Sequence, residues 1–365
     1  MCDLPFKTWE YEEQTKTKHS VFADYIDKWI KIVGKYNKLN FIDGFGGIGA
    51  YKDKEGKLFY GSPVLVCQAI ERIALKNSRD INVIIVDENK EHLENIQKIL
   101  DYLKIKIKPF MVDKDFDETI NNIISTVKNI APTFVFIDPF GFKIKMETLK
   151  KIMSVGKSEI LLNFMFTRIS QFLSAPRVEN AYNDLFGGNG WQIFKTLKGQ
   201  AREKGIIEHY REQLKTFSKF VYYYKLEFPE KRKTYYYLFH LSNYYMGCSI
   251  MKSSFAKYNL GRVEYRGFRS GQLELFELAN IKQSEIIELL FKKYLGKEVS
   301  FKSLLEDNID STVYLESQFR DTLKCLEAKN KIKIRRIPPL TPKGRQRKAI
   351  EENDIIQFKN ESDRA

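Results

Sequence analysis

The chain has 365 residues, enough for two domains or for one long domain with an appendage. Apolar residues make up 43% and aromatics 14%, which rules out a disordered chain, a disulfide scaffold and a fibrous repeat. Lys and Arg number 61 against 47 Asp and Glu, and the resulting +14 favours an anionic partner, nucleic acid or a membrane surface. Four cysteines (Cys2, Cys67, Cys248, Cys325) lie far apart without a C-x-x-C pair, so no zinc or iron–sulfur framework and no other metal is expected. The start, MCDLPFKTWEYEEQ, lacks an apolar h-region, and no run of about 18 apolar residues occurs. The expectation is a cytoplasmic protein that does not enter a membrane.

From Leu39 to Phe164, short β-rich runs alternate with helical spacing. The runs are Leu39–Asp43, Ile81–Asp87, Ile105–Val112, Thr133–Asp138 and Glu159–Phe164. Most are apolar throughout, as strands buried on both faces are, while the third alternates and reads as an edge. Leu93, Ile96, Ile99, Leu100 and Leu103 mark one of the intervening helices. Repeated strand–helix units predict a doubly wound, mostly parallel α/β sheet. After Ser170 the rhythm breaks. Two aromatic runs, Phe220–Phe228 and Tyr235–Leu241, flank the polar turn Pro229–Lys233 and predict an antiparallel hairpin. A parallel sheet closed by such a hairpin is the plan of a Rossmann-like methyltransferase.

Composition changes near Ala279, which divides the chain into an expected Rossmann-like domain, 1–278, and a second domain, 279–365. Three helix-like stretches (Gln283–Leu295, Ser300–Glu306, Leu315–Lys329) precede a basic strand–turn–strand, the pattern of a winged helix-turn-helix. Lys331 to Ile350 holds eight Lys or Arg and no acid. Arg335, Arg336, Lys343, Arg345, Arg347 and Lys348 are the expected phosphate contacts, with Arg320 and Lys324 sharing one helix face at i, i+4.

Three motifs carry chemistry. Asp43-Gly44-Phe45-Gly46-Gly47-Ile48-Gly49 follows the first strand, where glycines let backbone approach a ligand. Gly44, Gly46 and Gly49 spell the dinucleotide fingerprint, a weak match alone. Phe45-x-Gly47-x-Gly49 instead resembles the F-x-G-x-G of amino-group methyltransferases, with Asp43 ahead of it. The loop is separated from its helix by Tyr51–Tyr60, and Ser62-Pro63 is the expected helix start. Asp87, ending the second strand, either accepts from a ribose or caps the next helix. Asp113, ending the third, either reaches an adenine amino group or caps the helix from Phe116.

The third motif, Asp138-Pro139-Phe140-Gly141, ends the fourth strand and resembles the D/N-P-P-Y/F of enzymes that methylate exocyclic base amines. An aryl amine is a poor nucleophile because its lone pair is delocalised. An acceptor carboxylate and a backbone carbonyl can bind its two hydrogens, while the aromatic stacks on the base. No Pro-Cys pair, ligand-spaced histidine set or P-loop points elsewhere.

Together these residues resemble the three-Cys-motif partner (TcmP) family. The resemblance runs through Lys18-His19, Tyr25 and Trp29; Phe41–Tyr51; Gly61–Pro63; Phe136–Lys143; Asn163 and Arg168; Tyr236–Lys252; and the C-terminal region. Gly46-Gly47-Ile48 departs from the family's more usual Ala-Gly-Pro. The resemblance implies a methyltransferase-like fold and a three-cysteine, radical-enzyme-like partner protein. On that basis Lys18 and His19 either reach a cofactor carboxylate from an N-terminal helix or begin a solvated helix. Arg168 either binds a substrate phosphate or pairs with a surface acid. The leading expectation is an S-adenosylmethionine-dependent methyltransferase acting on an exocyclic amine of a nucleobase in DNA or RNA. The alternative is a non-catalytic, nucleotide-sensing, nucleic-acid-binding protein of a phage-defence or regulatory system.

Overall fold

The computed structural model describes residues 4–34, 38–74, 80–127, 130–228, 233–257 and 275–360. The chain divides into two compact units, Met1–Glu264 and Tyr265–Ala365.

The first unit opens with a two-residue strand, Trp9–Glu10 (β1), and a long helix, Glu13–Val33 (α1). Next come Leu39–Asp43 (β2), the small strands Ala50–Lys52 (β3) and Leu58–Tyr60 (β4), and Ser62–Ala74 (α2). The alternation continues with Ile81–Val86 (β5), Lys90–Tyr102 (α3), Phe110–Val112 (β6) and Phe116–Thr126 (α4). Thr133–Ile137 (β7), Met146–Ser154 (α5), Ser158–Phe164 (β8) and Phe166–Phe172 (α6) complete the parallel part. Helices Glu179–Phe186 (α7) and Gly199–Lys215 (α8) lead into Phe220–Phe228 (β9), Lys233–Ser242 (β10) and Tyr245–Lys257 (α9). The expected turn at 229–233 lies, for 229–232, outside the described residues.

The seven-stranded sheet has the order β6-β5-β2-β7-β8-β10-β9. Strands β6, β5, β2, β7 and β8 pair in parallel, and β10 joins β8 and β9 antiparallel. The expected mostly parallel sheet with an antiparallel hairpin is therefore present, and β6 is its edge. That edge strand is shorter than the run Ile105–Val112. Ile105 instead donates its backbone N–H to Leu100 O and closes α3.

All five residues of β7 (Thr-Phe-Val-Phe-Ile) are buried, and alternation sends them to two faces. Phe134 and Phe136 meet Phe22 and Tyr25 of α1, whose buried residues Phe22, Tyr25, Ile26, Trp29 and Ile30 form one helical stripe. Val135 and Ile137 face the opposite core with Ile120, Leu149 and Ile152. Layers on both faces leave the carboxyl ends of the strands as the open edge.

In the second unit, Leu275–Tyr294 (α10), Glu298–Ser300 (β11), Phe301–Glu306 (α11), Glu316–Ala328 (α12), Ile332–Arg335 (β12) and Ile355–Phe358 (β13) follow in turn. The three strands form an antiparallel sheet in the order β11-β13-β12. Strict alternation in β12 buries Ile332 and Ile334 and exposes Lys333 and Arg335. The composition change at Ala279 falls inside α10, so the contact boundary lies ahead of it.

Candidate active site

The chain runs from β2 outward to β5 and β6, then returns to add β7 and β8 on the other side. The direction of winding thus reverses between β2 and β7. In open α/β sheets the crevice at such a reversal, outside the carboxyl ends, is where ligands bind. Three carboxylates stand there: Asp43 at the end of β2, Asp87 just after β5 and Asp138 just after β7.

Asp138 is held from both sides. Lys18 of α1 donates to its Oδ2, and Asn163 Nδ2 of β8 donates to its Oδ1 at 2.6 Å. Lys18 is buried, with its ammonium 5.8 Å from the centre of the Tyr236 ring. The Lys18 charge is thus engaged by the motif's own acid and does not stand free. His19 does not fit a charge-bearing role either. Burial, with the Lys18 charge beside it, lowers its pKa to about 3 and leaves the ring neutral, 3.3 Å from the Tyr11 hydroxyl. Nor does either residue begin a solvated helix, since both are buried. Pro139 O accepts from the Gly141 N–H at 2.9 Å in a tight turn that leaves Phe140 70% exposed.

Asp87 ties the glycine loop to α3. Its Oδ2 accepts from Gly47 N at 2.7 Å, its Oδ1 accepts from Asn89 N at 2.8 Å, and His92 Nδ1 lies 3.1 Å away. The cap of α3 is Asn89, which removes the purely capping reading of Asp87. Asp113 is exposed, and Asp115 caps α4 in its place, so that the capping reading of Asp113 is also corrected.

Asp43 is fully buried; Oδ1 accepts from Phe45 N at 3.2 Å, whereas Oδ2 lacks a hydrogen-bond partner among the described residues. Burial raises its pKa to about 7, against the pull of Ser62 and the Phe45 amide and with help from the charges of Asp138 and Asp87. The Phe45 ring turns to Phe116, 5.5 Å away, and packs on the core, so the side chain is not free for a ligand.

Two glycines of the loop differ in purpose. Gly49, at φ +77°, would place a Cβ 2.8 Å from Ile96, so it is small for packing on α3. Gly47, at φ +60°, would meet nothing nearer than the Trp9 ring at 3.8 Å. Gly47 is the open face of the loop.

Trp9 is the residue that sequence reasoning missed. Strand β1 pairs in parallel with β3, placing Trp9 opposite Tyr51. Its ring meets His92 at 5.3 Å and Phe140 at 5.5 Å, both edge to face. The segment before it is fastened by Asn95, which accepts from Lys7 N at 2.7 Å and donates to Lys7 O at 3.0 Å and Ile48 O at 2.7 Å. A lone tryptophan among acids, WEYEE, was the only available signal, and two residues give no periodicity.

The basic residues fare unequally. Arg168 is exposed on α6. Arg335, Lys343, Arg345 and Lys348 are exposed, and so is Lys324, 3.7 Å from Asp321. Arg320 pairs with Glu316 and lies over the Phe301 ring at 4.5 Å. Arg336 makes a two-bonded pair with Glu327 at 2.8 and 2.7 Å. Arg347 is buried and donates through both terminal nitrogens to Asp354. The expected phosphate roles of Arg336 and Arg347 are corrected: these guanidiniums hold the unit together.

No family model matches the chain, and no curated protein matches it. Among solved structures, the protein LPL1258 of Legionella pneumophila is 11% identical, with 67% of this chain and 94% of that one covered and a TM-score of 0.41. The SAM-dependent methyltransferase of Agrobacterium tumefaciens is 9% identical, covering 61% of each chain at 0.35. The spermidine synthase of Thermotoga maritima is 10% identical, covering 64% and 60% at 0.35. Likenesses this distant carry neither chemistry nor substrate.

Proposed function

We propose that the first unit is an S-adenosylmethionine-dependent methyltransferase acting on an exocyclic amine of a nucleobase, and that the second is a winged helix-turn-helix that grips the nucleic acid. The observation that carries this reading is the setting of Asp138. A carboxylate fixed by Lys18 and Asn163 follows β7 at the carboxyl edge of the sheet, two residues ahead of the exposed Phe140 ring. The residues fit the cofactor: Gly47 leaves room over the loop, Asp87 at the end of β5 is the acid that would face a ribose, and Asp43 Oδ2 is buried without a partner among the described residues. When bound, S-adenosylmethionine supplies an electrophilic methyl group.

The protein's part is positioning. Asp138 keeps lone pairs for an amine hydrogen while Lys18 and Asn163 fix its orientation. Phe140 stacks on the base, which must leave a duplex to reach it. The exposed Arg335, Lys343, Arg345 and Lys348 hold phosphates. The three-cysteine partner protein implied by the family resemblance belongs to the same reading.

The test is transfer of a labelled methyl group to single-stranded and duplex DNA and RNA. Wild type is expected to label nucleic acid, single strands faster. Asp138→Ala is expected to lose about 10²–10³-fold in rate, the range for one positioned polar group, while still binding cofactor in calorimetry. Undiminished transfer in that variant removes Asp138 from the chemistry.

A further inference from the structure

We propose that Trp9 and Phe140 form an aromatic wall that selects a cationic, sulfonium-bearing adenosyl ligand over its neutral thioether. The inference rests on the methyltransferase reading and adds to it a residue and a basis for discrimination.

The first argument is charge. The protein carries +14 overall, yet the crevice collects three acids. Asp43, Asp87 and Asp138 lie close enough for the last two to act electrostatically on the first. Tyr51, beside them, has its hydroxyl pKa raised by burial and further by Asp138 and Asp43. Against these acids the described ion pairs set one permanent cation, the Lys18 ammonium on Asp138. A crevice with this balance favours a positive ligand.

The second argument is the wall. Trp9 stands over Gly47, the one loop glycine whose added Cβ would find room, and its ring touches both His92 beside Asp87 and Phe140 beside Asp138. It therefore links the neighbour of Asp87 to the neighbour of Asp138, and on the methyltransferase reading a bound sulfonium would lie beside it. Indole is the strongest of the side-chain partners for a cation. Trp29 and Trp191 are buried, whereas Trp9 is only partly buried. The effort invested in placing it is visible. Asn95 is buried and clips the strap at Lys7 and the loop at Ile48 with one side chain, and Phe6 is buried just ahead.

The experiment is calorimetric titration of the full chain with S-adenosylmethionine, S-adenosylhomocysteine and sinefungin, whose ammonium stands in for the sulfonium. Wild type, Trp9→Leu and Trp9→Phe are compared, with thermal unfolding run on each. Leucine keeps apolar bulk and removes the π face. Wild type is expected to bind both cationic compounds more tightly than the thioether. Trp9→Leu should lose on the order of tenfold for the cations and about twofold or less for the thioether, and Trp9→Phe should keep most of the preference. Equal losses for all three compounds, or none, overturn the proposal and leave the methyltransferase reading standing. Wild type that binds none of them overturns both.

Discussion

The crevice at the strand ends and the basic stretch of the second unit are opposite constructions. The crevice gathers Lys18, Asp43, Asp87, Asp138 and Asn163 from remote points of the sequence, and each is placed by a strand end or a helix. The basic stretch is contiguous, eight cations within Lys331–Ile350, and looks stronger on paper. Yet folding withdraws Arg336 and Arg347 into pairs with Glu327 and Asp354. In the crevice the fold creates a charge imbalance that no local count reveals. In the basic stretch it removes part of an imbalance that a local count overstates.

The sharpest way to break this contrast is to remove a buried cation and an exposed one in turn. Asp354 is fully inaccessible, and Arg347 beside it is buried. Burial alone would raise the Asp354 pKa, but the Arg347 bonds, joined by the Glu351 and Ile337 amides, lower it. Arg347→Met leaves that buried carboxylate without its counter-charge, held by the two amides alone, and should destabilise the second unit by about 3–5 kcal/mol. Arg345→Met, at an exposed position, should stay within about 0.5 kcal/mol. Denaturant unfolding of the full chain measures both. Equal values would mean that Arg347 is as available to a ligand as Arg345.

The exposed residues give the next effect. Reversing Lys343, Arg345 and Lys348 to Glu should weaken nucleic-acid binding across sequences and flatten the log K against log salt slope by roughly three units. Reversal at Arg336 should instead register as lost stability, because Glu327 would then face a like charge. Fluorescence anisotropy over a salt series reads the slopes. Parallel lines for wild type and the triple variant would take nucleic acid away from this stretch.

The same contrast explains what was legible. Strands such as Thr133–Ile137 announce themselves because a strand buried on both faces must be apolar throughout, and helix α1 because its stripe must face the sheet. Asp43, Asp87 and Asp138 were legible as residues, since each ends a readable strand. Their partners were not. Lys18 and Asp138 are separated by 120 positions, and nothing local in either segment encodes their meeting. Gly47 and Gly49 look alike in sequence, and only the approach of Ile96 to one of them separates packing from access. Trp9 sits in a strand too short to have a period.

The smallest expected effect probes the acid at the centre of the crevice. Asp43 is buried and its pKa is raised to about 7, above the usual value near 4 for an unfolded chain. A folded state that holds a proton more tightly than the unfolded one is favoured at low pH. The contribution is complete below the unfolded pKa and is lost as pH rises through about 7. Asp43→Asn carries no titrating group, so its stability should lack this component. Relative to that variant, wild type should therefore lose at most about 2–3 kcal/mol between pH 5 and pH 7. Urea unfolding at the two pH values, on both proteins, gives the difference directly. The cause is also separable: Asp87→Asn removes one of the two charges that raise Asp43, and should move the midpoint of the loss to lower pH. If the curves for wild type and Asp43→Asn run parallel from pH 5 to 7, Asp43 is ionised throughout, and the crevice is built with a cation already beside it.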